Sequence, residues 1–368
     1  MTYDIIIIGA GPAGATLARL LDKQYKVMLV DKRNLINKVH NGRSKCCGGL
    51  LAPDAQQMLG RLGLAVPTDV LVNPQLFLVR TIDFDNSLER YYQRFYFNMD
   101  RERFDQWLVS LIPDSVDLRM ECHLKSVKKY SEGYTVTFTH KGKLYQETTR
   151  VVVGADGALS GLRKQLFQDR DSFKRYIAIQ EWFETDNEVP HYGAIFDSEV
   201  TDFYSWTISK GGKLLIGSAL IPSKDPRQKY NVLKSKLRNY GFRFENPIKR
   251  EAAPIIRPRT GEIITGNDSA ALIGEAGGFI SPSSAEGLSF AFKSAHALAV
   301  SLNEGIEGFQ PGYNKRIQPL IRSIAVKRIK NIVMYNKILR GLVMKSGVLS
   351  SDVHFTSTAN PTFKSPLK

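Results

Sequence analysis

The amino-acid sequence predicts an α/β fold with a β-rich insertion and a helical C-terminal segment. Three observations predict it. A β-branched run, Ile5 to Ile8, meets glycines spaced G-x-G-x-x-G and then a short apolar helix. Two later apolar runs, Val151–Val153 and Ala270–Ile273, also end in a glycine and an acid and lead into helices. Between them, residues from about 174 to 256 read as successive strands rich in aromatic and β-branched side chains.

The first unit is the most specific. Ile5 to Ile8 are apolar and β-branched, as in a strand buried on both faces. Gly9 permits a tight turn, Gly11 lets a pyrophosphate approach the backbone, and Gly14 lets the next helix pack close to the sheet. Ala13 to Leu21 read as that helix, whose free N–H groups and positive dipole end suit phosphate. Val27 to Val30 form a second strand, and Asp31 at its end can accept hydrogen bonds from ribose hydroxyls. Strand, glycines, helix, strand and acid in this order predict a dinucleotide site. Lys32-Arg33 then offers cations for an extra phosphate or for stacking on an adenine, although Asp31 argues against a 2′-phosphate.

Next comes Ser44-Lys45-Cys46-Cys47-Gly48-Gly49-Leu50-Leu51-Ala52-Pro53, where two glycines after a thiol pair predict close approach of the backbone to another group. A short helix is expected over Ala55–Gly63 and β structure from Val72 to Phe97. Asp100 is a plausible N-cap for a helix carrying Phe104, Trp107 and Leu108 on one face. Strands follow at Val116–Leu118 and Cys122–Val127, then a hairpin across Lys141-Gly142. Asp156-Gly157 sits at the tip of the next strand, and Gly274-Glu275 closes a third. The small-residue loop after it, through Glu286-Gly287-Leu288, would suit a polyhydroxyl chain and a pyrophosphate. In the β-rich region Trp182, Phe183, Tyr204 and Trp206 either wall an apolar substrate cavity or are simply core.

At 368 residues the chain exceeds the usual single-domain length of about 100–200 residues. Met1 leads straight into a strand, without the basic and apolar regions of a signal peptide, and no apolar run is long enough to span a bilayer. Three cysteines, two of them adjacent, make no disulfide framework, so a cytoplasmic location is the default expectation. The six histidines are scattered without ligand spacing, so no metal site is expected. The net charge of +15 is uneven: nine cations and no acid lie between Gly312 and Ser346. From Tyr313 to about Met344, apolar residues such as Ile317, Leu320, Ile324, Ile332, Ile338 and Leu342 recur at helical steps with these cations between them. The region 313–345 thus fits an anionic partner, with a membrane surface the leading candidate and a solvated cationic face the plainer alternative. Nothing resembles a groove-reading nucleic-acid module. Val348 to Lys368 reads as a flexible, Ser/Thr/Pro-rich tail.

The three glycine-containing motifs, in this order, resemble the FAD-dependent oxidoreductases built like para-hydroxybenzoate hydroxylase. In that superfamily the first motif holds the ADP half of FAD, a mid-chain Asp-Gly contacts the pyrophosphate region, and a late Gly-Asp holds the ribityl chain. Asp156-Gly157 matches the second, Gly274-Glu275 stands in for the third, and Arg101 matches an arginine that contacts the flavin. Lys45-Cys46-Cys47-Gly48-Gly49, Tyr204-Ser205-Trp206 followed by Lys210-Gly211 and Gly217, and Pro282-Ser-Ser-Ala-Glu286-Gly287 resemble elements of the geranylgeranyl reductase family, more narrowly its CbrA-type bacterial flavoproteins. The resemblance covers about residues 1–345.

It implies a Rossmann-like FAD-binding domain over 1–70, 101–173 and 259–305, with an inserted β-rich substrate domain over 71–100 and 174–258. Basic C-terminal helices follow over 306–347, then a tail over 348–368. It implies FAD contacts from Gly9, Gly11, Ala13, Gly14, Asp31, Lys32, Cys47, Gly48, Gly49, Arg101, Leu124, Asp156, Gly157, Gly274, Glu275, Gly287 and Leu288, and substrate contacts from Tyr204, Trp206 and Trp182. The implied reaction is hydride transfer from reduced flavin to a carbon–carbon double bond of an isoprenoid or other apolar substrate, such as a polyprenyl compound. Cys47 is the candidate proton donor or flavin-contacting group, against the reading that Cys46 and Cys47 are small loop residues. One dinucleotide fingerprint leaves no separate nicotinamide domain, so NADPH, ferredoxin or reduced flavin remains open as electron donor. The alternatives are a flavin monooxygenase acting on an aromatic, and a flavin-binding regulatory or membrane-associated protein.

Overall fold

The computed structural model describes residues 2–36, 46–185, 189–259 and 261–353. The N-terminal part runs β1 (Thr2–Ile8), α1 (Pro12–Leu20), β2 (Val27–Val30), β3 (Leu50–Leu51), α2 (Pro53–Arg61), β4 (Leu76–Asp83), β5 (Leu88–Asn98) and α3 (Arg101–Ser110). The middle continues through β6 (Asp117–Arg119), β7 (Cys122–Tyr130), β8 (Gly133–His140), β9 (Lys143–Gly154), α4 (Gly161–Leu166) and β10 (Lys174–Glu184). Next are β11 (Tyr192–Phe196), β12 (Ser205–Lys210), β13 (Lys213–Leu220), α5 (Pro226–Asn239) and β14 (Pro247–Arg257). The chain ends with β15 (Gly266–Asn267), β16 (Ala270–Leu272), α6 (Leu288–Glu304), α7 (Phe309–Tyr335) and α8 (Lys337–Ser346).

Two sheets organise these elements. In the first, β16, β9, β1, β2 and β6 lie side by side in parallel, extended by antiparallel β15 and by the β7–β8 pair. Parallel strands need both faces covered. One face packs on α1, α3 and α6 through residues such as Ile5, Ile7, Leu17, Phe104 and Leu298. The other meets β7, β8 and α4 through Ile6, Ile8, Phe138 and Leu162. The side chains of β1 therefore alternate between two cores, which is why its apolar run is unbroken. The second sheet has the order β14-β10-β13-β12-β11-β4-β5-β3 and is antiparallel except where β11 runs beside β4. Its outer face carries α5, whose Leu233 and Leu237 pack over Phe183 and Ile216. Its inner face, with Ala178, Trp206 and Leu215, turns toward the first sheet. Leu50–Leu51 pairs with β5, so the second sheet takes in part of the span expected for the N-terminal cofactor-binding unit.

The C-terminal segment departs from a single amphipathic helix. Asn336 breaks it, and its side chain caps α8 by accepting from Leu339 N at 3.0 Å. The first half of α7 buries Tyr313, Ile317 and Ile324 against α6, whereas Ile329, Ile332, Ile338 and Leu342 are exposed. Some of the nine cations are drawn into pairs, among them Arg316 with Glu304, Lys327 with Asp54, and buried Arg340 with Asp83 and Asp85. The tail expected over 348–368 lies outside the described residues from 354 onward, as do Lys45 and the rest of 37–45.

Candidate cofactor and substrate site

The two sheets enclose one cavity of about 1860 Å³ between the C-terminal ends of β1, β2, β9 and β16 and the inner face of the second sheet. At one end is the glycine turn. Gly9 has φ of +106°, and a side chain there would run into the Ala155 carbonyl. The N-terminus of α1 at Gly11 has no side-chain cap and no acid in its first turn, so its N–H groups face the cavity unopposed. Gly9, Gly11 and Ala13 line this end. Gly14 does not; it lets α1 sit against the Gly9 carbonyl, where a Cβ would collide.

Asp31 is nearly buried. Its Oδ2 accepts from Ala10 N at 2.7 Å and its Oδ1 from Arg33 N at 2.8 Å. Arg33 reaches on to Asp105 at 2.8 Å, and Arg101 Nε binds the other oxygen of Asp105 at 3.0 Å. Arg101 also donates to Cys47 Sγ at 3.4 Å. A ladder of alternating charges thus runs from the first motif to the thiol. Burial raises the cost of every charge in it, yet the two guanidinium groups hold the Asp105 carboxyl below its ordinary value. Arg33 is committed to Asp31 and Asp105, which removes it as the binder of an extra phosphate. Lys32 lines the cavity beside it.

Asp156 stands at the end of β9. Its Oδ2 accepts from Gly161 N at 2.6 Å and Leu162 N at 3.3 Å, at the start of α4. Its Oδ1 is buried with no hydrogen-bond partner among the described residues, and the residue itself lines the cavity. Desolvation raises the pKa of this carboxyl. An orphaned acceptor beside Gly157 and Leu124 is a ready partner for a hydroxyl of a bound cofactor. Opposite it, Gly274 has φ of +55°, and a Cβ there would press on Ala13. Glu275 lines the cavity, and its Oε1 accepts from Ile256 N of β14 at 3.2 Å. The extra methylene relative to aspartate lets one carboxylate span from the first sheet to the second. Gly287 and Leu288 present the N-terminus of α6 to the same space. The uncapped glycine turn, the orphaned Asp156 oxygen and this second helix end all fit FAD.

Cys47, Gly48 and Gly49 lie further along the cavity. Cys46 also lines the cavity and packs against the second sheet's inner face, and neither thiol is in a disulfide among the described residues. Cys47 Sγ receives Gly49 N at 3.4 Å in addition to Arg101. The loop is fastened by Lys210, which sequence reasoning quoted in a motif but gave no role. Its ammonium donates to Gly48 O at 2.8 Å, Gly49 O at 3.3 Å and Met99 O at 2.6 Å. Desolvation pushes its pKa down to about 8. Gly49 is required because φ is +64° and a side chain would strike Lys210 Nζ and Met99 O.

The far end is apolar, walled by Val79, Ala178, Ala194, Phe196, Trp206 and Met334. Trp206 faces Gly217 across β12 and β13, and its ring occupies the space a Cβ there would need. Tyr204 donates to Ser284 O at 2.6 Å, fixing the loop before α6, while Tyr96 and Arg94 hold Glu286. Trp182 is not part of this wall. It shares the inner face with its cross-strand neighbour Leu215 but sits farther along β10, outside the cavity lining, where Nε1 donates to Glu251 Oε2 at 2.9 Å and Lys249 lies over the ring. Of the expected site residues, only Gly14 and Trp182 are absent from the cavity lining.

This architecture, a parallel sheet with a glycine cradle facing a second sheet across one long cavity, is the fold of the FAD-dependent oxidoreductases. Residues 7–37 match the NAD(P)-binding Rossmann-like domain. A geranylgeranyl bacteriochlorophyll reductase-like protein from Thermoplasma acidophilum superposes with a TM-score of 0.78 at 18% identity, covering 98% of this chain and 94% of that one. PqsL, a probable FAD-dependent monooxygenase from Pseudomonas aeruginosa, superposes with a TM-score of 0.68 at 18% identity, covering 94% and 99%. In sequence, the chain is 41% identical over 347 residues to protein CbrA of Escherichia coli O9:H4 (strain HS), covering 94% of each. The chain belongs to the CbrA family.

Proposed function

We propose that this protein is an FAD-dependent reductase that saturates a carbon–carbon double bond in an isoprenoid or comparable apolar substrate. The continuity of the cavity supports the reading most directly. It runs as one continuous space from the glycine turn, past Cys47-Gly48-Gly49, to Val79, Ala194, Phe196, Trp206 and Met334. FAD, when bound and reduced, supplies a hydride for one alkene carbon. The other carbon then needs a proton. Cys47 is half-buried beside the flavin-side glycines, and its S–H is the donor this chain offers. Arg101 and Gly49 N both point at the sulfur and hold the negative charge left behind. Solvent then returns the proton. The aliphatic wall excludes water from the reacting carbons.

The test is anaerobic. The purified holoprotein is reduced with NADPH, reduced ferredoxin or dithionite, and polyprenyl compounds are offered as oxidants. Flavin reoxidation with a product heavier by two hydrogens supports the reading, and Cys47→Ala is expected to slow that step about 10²-fold or more while leaving flavin reduction intact. The fold similarity to a probable monooxygenase favours a second reading. Rapid oxygen-dependent consumption of NADPH, stimulated by an aromatic compound, would establish that one and refute the reductase.

A further inference from the structure

We infer that the second half of α7 together with α8 forms a docking surface for an anionic lipid bilayer, set at the mouth of the substrate cavity. Val326, Ile329 and Ile332, at three-residue steps on α7, are 65%, 66% and 63% exposed, and Ile338 and Leu342 on α8 are 71% and 60% exposed. A polypeptide surface meeting only water rarely concentrates large aliphatic side chains in this way. They are not exposed by fraying. Tyr335 donates to Ser283 O at 2.6 Å, Arg340 is locked onto Asp83 at 2.7 Å, and Arg90 donates to Met344 O at 2.9 Å. The helices are fixed, and the aliphatic residues point outward from them.

Charge specifies the partner. Exposed Lys315, Arg322, Arg328, Lys337 and Lys345 share these helices, and no acid occurs from Gly312 to Ser346. A protein partner covering an aliphatic patch has no need of a one-signed rim. An anionic headgroup layer over hydrocarbon matches both features. No described helix is long and apolar enough to cross a membrane, so the helices lie on the surface. Val343, Val348 and Leu349 are exposed and also line the cavity, so the cavity mouth lies beside α8, next to the exposed aliphatic residues. Seated there, the mouth faces the bilayer, and an apolar compound reaches the cavity without crossing water. The docking itself does not depend on which reaction the flavin performs.

The test is sedimentation of the full-length holoprotein with vesicles of phosphatidylcholine alone or mixed with phosphatidylglycerol, at low and high salt. Binding is expected only to the mixed vesicles and should weaken with salt. The exposed triple variant I329E/I332E/L342E is expected to lose about tenfold or more in partitioning, with its melting temperature and bound flavin unchanged. Three results overturn the inference: no binding to the mixed vesicles, equal binding by the triple variant, or a wild-type dimer in solution that this variant converts to monomer. The last would mean that a second copy of the chain covers the patch.

Discussion

Replacing Lys210 with methionine is the sharpest probe of how the second sheet holds the Cys47-Gly48-Gly49 loop. The side chain lies on β12, while its three acceptors belong to the Gly48-Gly49 loop and to Met99, so the ammonium is a rivet between separate chain segments. Methionine keeps the volume and removes the charge. Desolvation, only partly offset by nearby acidic groups, pushes the pKa down from 10.5 to about 8, a net cost to the charged form of about 3 kcal/mol. Three bonds from a charged donor, at about 1.5 kcal/mol each, return about 4–5 kcal/mol. Lys210→Met should therefore destabilise the protein by about 1–2 kcal/mol net, a drop of a few degrees in melting temperature. Its larger effect should be on flavin retention, read from the flavin absorbance that survives gel filtration, because the loop loses its fastening. The pH dependence carries a sign. Between pH 8 and 10.5 the unfolded chain holds a proton on Lys210 that the folded chain has shed, so wild type gains stability relative to Lys210→Met as pH rises through that window. A variant with unchanged melting temperature and unchanged flavin content would refute the rivet.

Other outcomes follow from the same geometry. Asp156→Ala removes the acceptor for Gly161 N and Leu162 N at the start of α4 together with the orphaned oxygen, and should cost about 1 kcal/mol of stability and about tenfold in FAD affinity, measured by calorimetry and by titrating apoprotein with FAD. Arg340→Met strands Asp83 and Asp85 under α8 and should destabilise by about 3–5 kcal/mol in chemical denaturation. His191 is buried, with its pKa pushed down to about 3 by desolvation and by Arg80. The unfolded chain protonates it near 6.5, so stability should fall as pH drops from 6.5 toward 3, and His191→Leu should flatten that limb of the melting-temperature profile. Trp206→Ala should alter occupancy of the cavity by apolar dyes, whereas Trp182→Ala should not.

Much of the cofactor end was legible because local chemistry dictates it. A buried parallel strand must be continuously apolar, a turn with φ of +106° calls for glycine, and an uncapped helix start must follow if phosphate is to approach it. Those demands fall on consecutive residues, so Gly9, Gly11, Asp31, Asp156 and Gly274 could be read one motif at a time. The substrate end was legible only in part. Alternation names the residues that share a face but not how far along the sheet a cavity reaches, and so Trp182 and Trp206, both on the inner face, lie respectively outside and inside the cavity lining.

The sequence by itself determined the order of the nucleotide-binding elements, the need for glycine at the turns, and the cationic character of the C-terminal helices. Only the tertiary structure decided which partners those residues meet. Asp105 lies between Arg33 and Arg101, Lys210 reaches carbonyls from two other segments, and Glu275 spans to β14. These contacts join residues up to 162 positions apart, and no local propensity encodes them. The C-terminal helix shows the same division. Its periodicity set an apolar face, but packing on α6 buried Ile317 and Ile324 and left Ile329 and Ile332 in the open, because the sheet and α6 end before the helix does.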